Sequence, residues 1–99
     1  MTICEAMKTF GLPNPTTPED LECRWSKVLR FRKWIVLAGY HYAGPKKPSY
    51  FGAVYEFLSD DQTCEGTIGL ALVSDVRFCD DGSAINWAIT SIMALEVLK

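Results

Sequence analysis

Apolar and polar positions in this chain follow two periods, and the change from one to the other divides it into elements. Leu21, Trp25, Val28 and Leu29 recur at i, i+4, i+7 and i+8, one face of a 3.6-residue repeat. Thr17 suits an N-cap ahead of them, Pro18 fits the first helical position, and Asp20 sits where a capping carboxylate reaches back. Glu19, Asp20 and Glu22 open this run, and Lys27, Arg30, Arg32 and Lys33 close it, an order that complements a helix dipole. The pattern predicts a helix over about 18–32. Before it, three prolines in Pro13-Asn14-Pro15-Thr16-Thr17-Pro18 exclude both regular helix and central strand. Residues 2–10 read as a short helix or a docked arm.

Beyond the helix the period shortens. Trp34–Tyr42 and Tyr50–Leu58 are rich in β-branched and aromatic residues and read as strands. Gly44-Pro45-Lys46-Lys47-Pro48-Ser49 and Ser59-Asp60-Asp61-Gln62 read as the turns that follow each of them. Thr67–Phe78 alternates cleanly: Ile68, Leu70, Leu72, Val76 and Phe78 share one face, and Thr67, Gly69, Ala71, Asp75 and Arg77 share the other. This run is one strand, or two with a break near Ser74-Asp75. A last helix opens at Asp80-Asp81-Gly82-Ser83, capped by Ser83 or Asp81. Ile85, Ile89, Ile92 and Met93 form its stripe, and Trp87, Ala88, Ala94, Leu95 and Leu98 extend its apolar surface. A helix apolar on most sides is buried or shared with a partner.

The predicted fold is α+β: a single small domain of α-β-β-β-α order, with an antiparallel three- or four-stranded sheet and helices packed on one face. Residues 1–17 are expected as an N-terminal arm and Pro-rich lead-in, and residues 18–99 as the domain. Composition agrees with this reading. The chain has 99 residues, 48% of them hydrophobic and 22% charged, ordinary values for a folded domain and unlike those of disorder. No run approaches the roughly 20 apolar residues of a membrane span. Cys4, Cys23, Cys64 and Cys79 follow a start that lacks a signal-like segment. Free thiols in a reducing, cytoplasmic setting are expected.

Charge changes the picture more. Residues 24–55 carry seven cations and no acid, whereas residues 1–23 balance at −3 and residues 56–99 at −6. Trp25, Phe31, Trp34, Tyr40, Tyr42, Tyr50 and Phe51 interleave with those cations. Such a mixture can follow a phosphate backbone by charge and stack bases on rings, or meet an acidic protein surface. The plain alternative is a helix whose solvent face is basic.

Other chemistry has less support. The cysteines are widely spaced and His41 is the sole histidine, so no zinc-finger pattern exists. A Cys–His nucleophile pair would depend on His41 alone, which lies inside an apolar strand. Asp60-Asp61 and Asp80-Asp81 lack the ligand ladder of a calcium loop. The glycines form no phosphate-binding fingerprint. Neither a catalytic site, a metal site nor a cofactor is expected.

The sequence therefore predicts a non-enzymatic binding or accessory protein, of the kind that inhibits by occlusion. Lys27, Arg30, Arg32, Lys33, Lys46 and Lys47, with Trp34 and Tyr50, would engage an anionic macromolecule. An acidic protein surface ranks ahead of nucleic acid, with RNA as the alternative. The third reading is a self-associating structural subunit, a homodimer through Trp87, Ile89 and Met93 of the last helix.

Overall fold

A computed structural model describes residues 2–25, 27–42, 44–63 and 65–97. The order is α1 (Ile3–Phe10), α2 (Pro18–Arg24), β1 (Lys27–Phe31), β2 (Trp34–Tyr40), β3 (Tyr50–Phe57), β4 (Ile68–Val73) and α3 (Asp81–Val97). The four strands form one antiparallel sheet in the spatial order β1-β2-β3-β4. The α+β class and the antiparallel sheet agree with the sequence reading.

Local chemistry explains the helix starts. Thr2 caps α1 by accepting from the Glu5 amide, and Gly11 ends that helix with φ 68°. Thr17 caps α2 by accepting from the Asp20 amide at 3.2 Å, with Pro18 next in the chain. The cap of α3 is Asp80, and not the expected Ser83 or Asp81: its carboxylate accepts from the Ser83 amide at 2.6 Å. That bond holds the Asp80 carboxyl below its ordinary pKa. None of the described helices is long and apolar enough to cross a membrane.

The helix expected over 18–32 ends at Arg24, and residues 27–31 are strand β1. Two local features favour this. Val28 and Phe31 fall on opposite faces of a strand, and each meets a different core cluster. Arg32 and Lys33 then form a two-residue turn that pairs Phe31 with Trp34. Arg32 has φ 57°, as the first central residue of a type II′ hairpin turn requires. β2, whose residues 35–39 are buried, needs a neighbour on each side, and β1 supplies the outer one.

The helices, expected on one face, divide between both. Ala6, Phe10, Leu12 and Leu21, from α1, α2 and the segment between them, pack against Ile35, Leu37, Phe51, Ala53 and Tyr55. Ala88 and Ile92 of α3 pack on the opposite face against Val36 and Val54. Alternation along interior strands makes this unavoidable, because β2 and β3 are apolar at odd and even positions alike. The small residues Ala84 and Ala88 let α3 approach closely. A Cβ added to Gly52 of β3 would lie 2.7 Å from the Trp87 ring and 2.9 Å from the Ala84 carbonyl oxygen.

Residues 1–17, expected as arm and lead-in, contribute core from Ala6 onward. Phe10 stacks on Phe51 with ring centroids 3.9 Å apart. The Tyr55 hydroxyl donates to the Pro13 carbonyl at 2.7 Å, and the Leu70 amide donates to Asn14 Oδ1 at 3.1 Å. Thr16 and Ile68 exchange backbone hydrogen bonds along the outer edge of β4. Burial pushes the Tyr55 phenol well above its usual pKa, opposed in part by the charge of Arg24.

The Thr67–Phe78 run breaks after Val73, near the expected point. Its single shared face does not survive. Val54 pairs with Leu72 while Tyr55 pairs with Leu70, so Ala71 is an extra residue, a β-bulge. Ile68, Leu70 and Val73 join the core beneath α1 and α2, and Leu72 turns to the α3 side. Val76 is exposed.

Candidate functional site

The eight residues expected to form one basic-aromatic surface fall into two groups at opposite ends of β2. Arg30, Arg32, Lys33 and Trp34 surround the β1–β2 turn. Lys27 lies opposite Ala38, and Tyr50 opposite Tyr40, near the other end of that strand, where the 41–49 loop carries Lys46 and Lys47. At roughly 3.3 Å per residue the two ends are about 20 Å apart. The continuous surface is therefore divided.

The turn group is largely engaged within the chain. Arg32 forms an ion pair with Glu96 of α3. Arg30 donates to the Gln62 carbonyl at 2.8 Å and lies over the Phe57 ring at 5.4 Å. Trp34 is half-buried and packs on the α3-side core. Lys33 shares a cleft of about 410 Å³ with Arg32, Glu56 and Glu96, two cations facing two acids.

The opposite end keeps its charge. Among the described residues none of Arg24, Lys27, Lys46 and Lys47 is ion-paired, and all four are exposed. Tyr40 and Tyr50 pair edge to face, with ring centroids 5.4 Å apart. They form a saddle shared by two clefts. One, of about 510 Å³, is lined by Tyr42, Lys46 and Lys47 among others. The second, of about 380 Å³, is lined by Arg24, Lys27 and Asp81 among others. Tyr40 is 57% exposed and Tyr42 61% exposed, so their rings are open to a planar ligand. Arg24, Tyr40 and Tyr42 belong to the basic-aromatic segment read from sequence but were not among the eight residues expected to make the contact. Their signal was position, because Tyr40 and Tyr42 fall where the apolar run of β2 gives out.

Hydrogen bonds tie described residues of the 41–49 segment to one another and to Arg77. The His41 amide donates to the Ser49 carbonyl at 2.8 Å, closing its base. Arg77 donates to the His41 carbonyl at 2.8 Å and lies 4.8 Å over the Phe10 ring. At its tip the Lys47 amide donates to the Gly44 carbonyl at 3.3 Å across Pro45-Lys46. Lys46 has φ 61°, so the tip has the form of a type II turn, with Pro at its first central position and a left-handed second. Glycine is favoured at that second position, and a lysine stands there instead.

No group of three or more His, Cys, Asp or Glu among the described residues could hold a metal ion. Cys4, Cys23 and Cys79 are free and exposed, and Cys64 lies outside the described residues. On α3, Trp87 is committed to Gly52 and lies near the Phe78 ring, whereas Met93 is half exposed.

No curated protein and no solved structure matches the chain. One family model does, over residues 12–92, a span that holds the saddle and both its clefts. Its description is nucleotide modification associated domain 4.

Proposed function

The chain belongs to the nucleotide modification associated domain 4 family, and from that premise we propose that it is a nucleic-acid-binding module whose contact surface is the Tyr40–Tyr50 end of the sheet. The observation that carries this reading is the set of four unpaired cations, Arg24, Lys27, Lys46 and Lys47, around exposed tyrosines. Cations attract phosphate and release its counterions, and aromatic rings offer stacking faces to bases. The role is binding, and no chemical step is assigned to it. An acidic protein surface would draw on the same cations. The family's link to nucleotide modification favours nucleic acid over it.

Binding of labelled oligonucleotides, followed by fluorescence anisotropy across a salt series, tests the reading. Affinity should fall steeply with salt. Lys46→Glu with Lys47→Glu should weaken binding and reduce the slope of log K against log salt by roughly 1–2. If no oligonucleotide of either strandedness binds at low salt, the nucleic-acid reading is rejected and the acidic-protein reading takes its place.

A further inference from the structure

We infer that the nucleic acid taken at this end is single-stranded, with unpaired bases on Tyr40 and Tyr42 and phosphates on the flanking cations. The inference rests on the nucleic-acid reading above and narrows its ligand class. Both rings are more than half exposed. In a duplex the faces of the bases are covered by their neighbours, so a stacking platform is useful only to bases out of the stack. The surface is also not built for a groove. Helix α3 contains no Lys or Arg and starts with Asp81 next to its capping Asp80, so it presents no row of cations to phosphate or base edges. What the chain offers is two small clefts that meet at a tyrosine saddle, each with a pair of cations. A flexible strand can bend from one cleft across the saddle into the other, and a stiff duplex cannot. Asp81 offsets part of the charge beside Arg24 and Lys27, so Lys46 and Lys47 carry the larger share of phosphate attraction.

The test compares one oligonucleotide sequence as a single strand, as a blunt duplex and as a single strand with abasic positions, all against the intact chain. The single strand should bind at least about tenfold more tightly than the duplex, and abasic positions should remove fivefold or more of that affinity. Tyr40→Leu and Tyr42→Leu should each cost a similar factor without changing the salt slope, and Tyr40→Phe should retain binding. The abasic strand reads stacking without any substitution, so a poorly folded variant does not obscure the result. Equal binding of duplex and single strand, with loss only on Lys46→Glu, would overturn the inference and leave the nucleic-acid reading standing. Failure of every oligonucleotide to bind at low salt would overturn both.

Discussion

Lys46 and Arg32 both occupy left-handed backbone, at φ 61° and 57°, where a side chain costs energy that glycine avoids. Arg32 has a structural return in its ion pair with Glu96. Lys46 has none among the described residues, and it lines the larger saddle cleft with Lys47. Strain kept without a structural return is what a binding position looks like. Lys46→Gly should therefore stabilise the fold by about 0.5 kcal/mol, the relief of left-handed strain less the entropy of glycine. The same change should weaken oligonucleotide binding. Paired denaturation and anisotropy measurements would show the opposite signs. The lysine, the proline before it and the turn were all legible in the sequence. The positive φ was not, because Gly44-Pro45-Lys46-Lys47 permits more than one turn.

At the scale of elements, the cap of α2 was readable and the change of period was not. Thr17-Pro18 marks the start of α2, but the spacing of Leu21, Trp25, Val28 and Leu29 fits a helix while the chain turns into β1 after Trp25. A four-residue match to a helical period is weak when two members are also good strand residues. The bulge at Ala71 escaped for a related reason. One extra residue moves Leu72 to the other face, and nothing local announces it. The contact between α3 and β3 depends on Gly52, under the Trp87 ring. Gly52→Ala should lower stability by about 1–3 kcal/mol through overpacking, read as a lower midpoint in chemical denaturation. The strand pairing itself should persist.

Across the whole molecule, charge is sorted by end. At the β1–β2 turn, Arg32 pairs with Glu96, and Lys33 shares a cleft with Glu56 and Glu96. The acidic C-terminal part of the chain thus places carboxylates beside two of the seven cations of the basic segment. At the far end Asp81 is the acid beside Arg24 and Lys27, and Lys46 and Lys47 share their cleft with no acid, so a protein of net charge −2 still has one basic end. The ends are about 20 Å apart, roughly two screening lengths at 0.1 M salt. Arg32→Ala with Lys33→Ala should leave oligonucleotide affinity within about twofold, whereas Lys46→Ala with Lys47→Ala should lower it about tenfold. Anisotropy titrations of the two double variants decide it.

The sequence by itself determined the class of fold, most of the strands, the starts of the helices and the segregation of charge. These follow from periodicity, capping chemistry and composition, all of which act over a few residues. Tertiary structure alone decided that helices cover both faces of the sheet and that the basic segment is cut in two. It also decided that Tyr40, Tyr50 and four cations meet at one end. Strand pairing brings together residues far apart in the chain, and the acids that share a cleft with Arg32 and Lys33 come from β3 and α3, so no local pattern could show which cations would remain free.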